Sequence, residues 1–227
     1  MKRYCLYLFI LIGISCSAEL KAQKNGTVYK GNDPAVRYTG RTLVSPDGSV
    51  AFDWVGTYLE TRFTGGKLSV KVSETGTSYY NVFVDGKLHK VVKVCGTDTL
   101  IHLVSGIDKR IHSLKIQKRS EGEFGKTTVH QFVLSGSGRL AKEPAVRTRH
   151  IEFIGNSLTC GYGTDGKHRD EPFLVETENC NLTFASMVAR YYDADYTLIA
   201  HSGRGAARNY GDSVRVSKVT MKDRMLN

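Results

Sequence analysis

The sequence predicts an all-β sandwich or jelly roll followed by the start of an α/β domain, and three observations carry that prediction. Leu68, Val70 and Val72 alternate with Ser69 and Lys71 at the period of two expected of a half-buried strand. Turn residues such as Asp47-Gly48, Gly65-Gly66, Asp85-Gly86, Gly96, Gly106, Gly122 and Gly136 punctuate the first part as short strands with even spacing would require. Beyond residue 150 the pattern becomes a short apolar strand, a segment of helical period and a second strand, the signature of a parallel β-α-β unit.

The composition agrees. Of 227 residues, 41% are hydrophobic, 24% charged and 10% aromatic, proportions that exclude a disordered, collagen-like or disulfide-dense chain. Twenty-three glycines against four prolines, with 12 Tyr and 9 Phe, favour turns and strands. A formal net charge of +10 raises nucleic acid as a partner. The basic residues of the first part, however, alternate with apolar ones (Lys67 and Lys71; Lys87, Lys90 and Lys93; Lys115 and Lys118). That is the pattern of a solvated sheet face, not of a basic stripe, and no nucleic-acid partner is expected.

The N-terminus reads as an address. Lys2 and Arg3 precede an apolar run over residues 5–14 and small residues at Ser15, Ser17 and Ala18, so residues 1–22 are expected to be a signal peptide. The run is shorter than the ~20 apolar residues of a membrane-spanning helix. No membrane span is expected, and the mature protein is expected to be secreted or periplasmic. Cys16 offers the alternative of an outer-membrane lipoprotein anchor, against which Gly13 stands where a bulky aliphatic residue would be needed. Removal of the leader leaves Cys95, Cys160 and Cys180. A Cys160–Cys180 bridge and three unbridged cysteines both remain open. Nothing has zinc-ligand spacing, and neither a metal nor a cofactor is expected.

Residues 28–140 read as the sandwich. After the strand around Val70, residues 80–84 and 87–92 flank Asp85-Gly86, a hairpin signal because a type I′ turn needs positive φ at both central residues. Further strands are expected over residues 100–104, around Ile111, Leu114 and Ile116, and over 129–134. His89, His102, His112 and His130 lie on or beside strands and read as polar-face or hydrogen-bonded residues rather than ligands. Trp54, Tyr58, Tyr79 and Tyr80 read as core aromatics, with sugar stacking as the alternative. A boundary is expected near residues 142–148, with a second domain over 148–227.

In that second part, residues 150–154 form a strand that runs into Gly155-Asn156-Ser157-Leu158-Thr159. Residues 181–192 place Leu182, Ala185, Val188, Ala189 and Tyr192 at helical spacing, residues 196–200 form a second strand, and residues 213–219 are a candidate third. A serine at the carboxyl end of a strand faces the crevice where open α/β sheets bind ligands. Residues 151–163, Ile-Glu-Phe-Ile-Gly-Asn-Ser-Leu-Thr-Cys-Gly-Tyr-Gly, resemble the first block of SGNH/GDSL hydrolases, and more narrowly carbohydrate esterase family 2, the acetylxylan esterase type. Residues 176–179, His201-Ser202-Gly203-Arg204-Gly205 and Arg208-Asn209-Tyr210-Gly211 look like the same family.

The resemblance implies a jelly roll joined to an SGNH-type (flavodoxin-like) domain that deacetylates xylan or a related plant polysaccharide or oligosaccharide. It casts Ser157 as nucleophile and oxyanion N–H donor, and Gly203, with Gly205 as the alternative, as a second donor. Asn156, where the family has Asp, would support the loop through hydrogen bonds. The family's base is a His near the C-terminus, and no His follows Gly211. Asp165-Gly166-Lys167-His168 spells Asp-x-x-His by chance, and His201 fits the base role poorly. The expectation is therefore a truncated esterase with little or no turnover as given. The alternative is a non-catalytic carbohydrate-binding sandwich carrying a vestigial hydrolase segment.

Overall fold

The computed structural model describes residues 26–142 and 146–226; the expected leader, with Cys16, lies outside them. Ten strands form one antiparallel sheet: β1 (Gly26–Lys30), β2 (Val36–Thr39), β3 (Leu43–Val44), β4 (Val50–Phe52), β5 (Tyr58–Glu74), β6 (Thr77–Val84), β7 (Lys87–Cys95), β8 (Thr99–Lys118), β9 (Thr127–Ser135) and β10 (Leu140–Ala141). The order is β3-β4-β9-β5-β8-β6-β7, with β1 added to β9, and β2 and β10 to β5.

Two long strands organise this sheet. The first half of β5 pairs with β2 and β8, and its second half with β9 and β8. Residues from both halves, Leu59, Phe63, Leu68, Val70 and Val72, enter one core with Phe132 and Leu134 of β9 and Leu103, Leu114 and Ile116 of β8. The sheet must therefore fold back on itself. The bend falls where Gly66 (φ +100) opposes Ile107, next to Gly106 (φ +70), with register shifts on both sides of Gly66. Here the turns expected at Gly65-Gly66 and Gly106 are replaced by bulges. Extra residues are absorbed inside a continuing ladder, so the strands expected over 100–104 and around Ile111–Ile116 are one strand. A side chain at Gly66 would meet the Ser135 carbonyl oxygen at 2.5 Å. The Asp85-Gly86 hairpin is present, with φ of 50° and 75°.

His112, 3% exposed on β8, places Nδ1 2.7 Å from Asp85 and Nε2 3.0 Å from Asp108. The hydrogen bond to Asp85, reinforced by Asp108 against the effect of burial, raises its pKa above the ordinary ~6.5 of an imidazole. The folded state thus holds the proton more tightly than the unfolded chain. The stabilisation is complete below the unfolded pKa and is lost as pH rises through the folded one. In urea titrations at pH 5.5 and pH 9, His112→Gln is expected to lower the midpoint at the acid end far more than at the alkaline end. A loss equal at both pH values would exclude the linkage.

The remainder is a parallel pair, β11 (His150–Gly155) and β12 (Asp195–Ala200), with helices α1 (Ser157–Cys160), α2 (Phe184–Tyr191) and α3 (Met221–Leu226). The expected β-α-β order is present, but α2 begins later than expected because Cys180–Leu182 forms a 3-10 turn first. Of the apolar face expected, Ala185 and Ala189 are buried, whereas Leu182, Val188 and Tyr192 remain exposed. Residues 213–219 form no strand. They are a loop tied by Ser217 to Asn209 and Asp212.

β12 is buried along its whole length. It packs Tyr196, Leu198 and Ala200 into a second core with Ala185 and Ala189 of α2, Cys160 and Cys180, and with Val55 and Tyr58 of the antiparallel unit. The two parts are thus joined through a shared core. Lys115, expected on a solvated face, points into this junction, whereas Lys118, expected there too, turns toward Tyr80 of the first core. Lys118 is fully buried and bonds Ser78, and the Lys115 ammonium lies 3.7 Å from the centre of the Tyr58 ring. Burial lowers both to about 8. Tyr58 and Tyr80 are core residues, while Trp54 and Tyr79 are half-buried. The three cysteines are unbridged: Cys95 is exposed, and Cys160 and Cys180 are buried. Among the described residues no helix is long and apolar enough to cross a membrane.

Candidate active site

Local chemistry builds the Ser157 turn. β11 ends at Gly155, where an added Cβ would lie 2.0 Å from the Thr159 hydroxyl, so the chain can turn back on itself only with glycine there. Asn156 caps the turn: its carboxamide oxygen accepts the Leu158 N–H at 3.1 Å, and its carbonyl accepts from Thr159 and Cys160. Gly161, left-handed at φ 86°, closes the turn with its N–H on the Ser157 carbonyl.

Ser157 lines a cavity of about 580 Å³ with Asn156, Tyr162, Ser202, Gly203, Gly205, Arg204, Arg208 and Tyr210. The sequence-derived candidates Ser157, Asn156, Gly203 and Gly205 therefore come together. Gly203 and Gly205 differ. Gly205 spends its N–H on the Asn209 side chain at 3.2 Å, whereas among the described residues the Ser157 and Gly203 N–H groups have no acceptor. Two arginines and two tyrosines in the wall were not singled out from the sequence. Their signal was membership of the family-like stretches, Tyr162 in the first block and Arg204, Arg208 and Tyr210 in the later ones.

Among the described residues no His, Asp or Glu lines this cavity. His201 lines a different one, with Trp54 and Glu123, and sets Nε2 2.9 Å from Glu123 and Nδ1 2.9 Å from the Ser202 carbonyl. The chance Asp-x-x-His string is also dispersed. Asp165 pairs with Arg119 and accepts from Asn179, and His168 is exposed.

Behind the cavity, ligand atoms of Glu121, Cys160 and Glu178 lie within 4.8 Å of one another, the one group among the described residues whose donor set could hold a metal ion. A metal needs these ligands deprotonated. Burial, with the nearby Glu121 charge, pushes the Cys160 thiol well above its usual range and the Glu178 carboxyl up to about 8. Both shifts oppose metal binding by this cluster, whose Glu121 carboxylate instead accepts from the Ser202 N–H.

Residues 38–144 match the carbohydrate esterase 2 N-terminal family. Over 180 residues the chain is 34% identical to the cellulase/esterase CelE of Acetivibrio thermocellus, covering 79% of this chain and 22% of that protein. It is 32% identical over 177 residues to an acetylxylan esterase / glucomannan deacetylase of Cellvibrio japonicus, covering 75% of this chain and 48% of that one. The solved structure of a family two carbohydrate esterase from Clostridium thermocellum in complex with cellohexaose aligns with a TM-score of 0.75 at 34% identity, over 79% of this chain and 55% of that chain.

The antiparallel sheet and the serine-bearing turn thus lie in a stretch of chain similar to carbohydrate esterases. Residues 38–144 carry the N-terminal domain of carbohydrate esterase family 2, and the chain is similar to members of that family over most of its length. It spans at most about half the length of the curated relatives it matches.

Proposed function

We propose that the protein is an exported carbohydrate O-acetyl esterase acting on acetylated xylan or a related polysaccharide, with Ser157 as nucleophile. In this reading residues 28–140 are a jelly roll, and residues 148–227 contribute the serine-bearing part of an SGNH-type domain. One observation carries the proposal: Ser157 stands at the end of a parallel strand in a cavity where, among the described residues, its own N–H and that of Gly203 are both unengaged. Attack by the Ser157 hydroxyl on an acetyl carbonyl would form an acyl-enzyme and place the developing oxyanion on those two donors. The engaged N–H of Gly205 favours Gly203 for the second. The hydroxyl also needs a base, and the described cavity wall offers no imidazole or carboxylate. Turnover by the 227-residue chain alone is therefore expected to be weak.

The test is the mass of the adduct with a serine-directed fluorophosphonate, together with acetate release from acetylated xylo-oligosaccharide. A slow adduct on Ser157, lost in Ser157→Ala together with any acetate release, is the expected result. Labelling or turnover unchanged in Ser157→Ala would sink the reading. A second reading, a carbohydrate-binding unit, draws on the cellohexaose bound to the Clostridium thermocellum relative. Equal binding of cellohexaose by the native chain and Ser157→Ala, with no acetate release and no adduct, would favour it.

A further inference from the structure

β8 ends in a sequence run that resembles a solvated turn and is nothing of the kind. Lys118, Arg119, Ser120 and Glu121 are 0%, 3%, 0% and 1% exposed. Charged side chains are almost never buried to this degree without partners, and here the partners of Arg119 and Glu121 lie mostly in the serine-bearing part. Arg119 donates to the Glu178 carbonyl (2.7 Å), the Glu176 carbonyl (3.0 Å), the Asn81 side chain (3.3 Å) and Asp165. It thereby holds the segment against which Gly161 packs, where a Cβ would lie 2.5 Å from Asn179. Glu121 goes further. Its Oε2 accepts the Ser202 N–H at 2.7 Å and faces the Cys160 thiol at 3.7 Å. Ser202 directly precedes Gly203, and Cys160 ends the short helix that Ser157 begins.

We propose that Glu121 of the antiparallel unit is a positioning residue for the oxyanion site: one carboxylate grips the Ser202–Gly203 loop and the Ser157 helix together and sets the spacing of their free N–H groups. This rests on the esterase reading above. The surroundings suit the role. Glu121's own N–H donates to the Glu178 carboxyl at 2.8 Å, which ties the backbone at Glu121 to the same segment that Arg119 holds. Among the described residues the Ser202 N–H has Glu121 as its acceptor. The antiparallel unit is then more than an appendage, because it supplies the fixed point of the reaction centre.

The test compares Glu121→Leu and Glu121→Gln in the 227-residue chain by two readouts: amide exchange at Ser202 and Gly203, and the rate of fluorophosphonate labelling at Ser157. In Glu121→Leu the Ser202 amide is expected to exchange at least ~10-fold faster, and labelling to slow ~100-fold, the effect of losing one oxyanion donor. Glu121→Gln keeps an acceptor oxygen and is expected to restore labelling to within ~5-fold. Unchanged Ser202 exchange in a folded Glu121→Leu overturns the proposal. If the leucine variant does not fold, the glutamine variant decides: its Ser202 amide resonance must move while those of β12 stay in place, and an unmoved resonance overturns the proposal. Failure of the native chain to label at Ser157 removes the esterase reading and leaves the exchange result to judge the contact alone. A zinc-dependent rise in melting temperature, lost in Glu121→Gln, would also overturn the proposal by making the cluster a metal site.

Discussion

Asp195→Ala is expected to destabilise the protein by about 3 kcal/mol, the lower part of the range for breaking a buried ion pair from one side. Asp195 opens β12 and is 3% exposed. Its carboxylate accepts from Arg37 of β2 at 2.7 Å, from the Tyr58 hydroxyl of β5 at 2.7 Å and from Arg147 at 2.8 Å. Removal leaves two guanidinium groups and a phenol facing an apolar gap. Glu60, which pairs with Arg37 and lies 3.6 Å from Arg147, absorbs part of the loss. Burial raises the carboxyl pKa, but the hydrogen bonds from Arg37, Tyr58 and Arg147 outweigh it and bring the value down to about 2. The sign follows from a depressed folded pKa. The contribution is fully present above the unfolded carboxylate value near ~3.9 and is lost as pH falls toward 2. Urea midpoints of native and Asp195→Ala protein should therefore differ widely at pH 7 and converge toward pH 2. Equal midpoints at pH 7 would show that the network contributes nothing.

The second large effect is Phe132→Ala, expected to cost about 3–5 kcal/mol through lost transfer energy and the cavity left behind. Phe132 is fully buried in β9, opposite Tyr29 of β1 and Val70 of β5, inside the antiparallel core. Phe132→Leu fills most of the gap and should recover most of the loss. Phe132 belongs to the first core and Asp195 flanks the second, so the pair also probes cooperativity. Because Val55 and Tyr58 carry the second core back into the antiparallel unit, both variants should shift one common transition. Two separable transitions, each moved by one variant only, would show that the parts unfold independently.

The same residues show how far the sequence could be read. Period-two alternation located the strands, and Asp85-Gly86 fixed a hairpin, because both are local: side-chain period and φ preference act within a few residues. The serine turn was legible for the same reason, since Gly155, Asn156 and Gly161 each answer a local steric or capping demand. Gly65-Gly66 and Gly106 misled, because a glycine with positive φ serves a turn and a bulge equally. Only the partner strand, absent from the local sequence, distinguishes the two. Lys115 and Lys118 were misread for a related reason: a charged residue at the end of a strand is usually solvated, and its burial depends on what folds over it.

By itself, then, the sequence determined the β-rich first part, the β-α-β order of the second and the serine turn, all of them set by period, capping and backbone freedom. Tertiary structure alone decided which glycine keeps a free N–H, that His201 belongs to another cavity, and that Glu121 reaches across to the Ser202 loop. Those outcomes depend on residues far apart in the chain meeting at a buried junction, where an unpaired charge is too costly to persist and each polar group must find its partner in space.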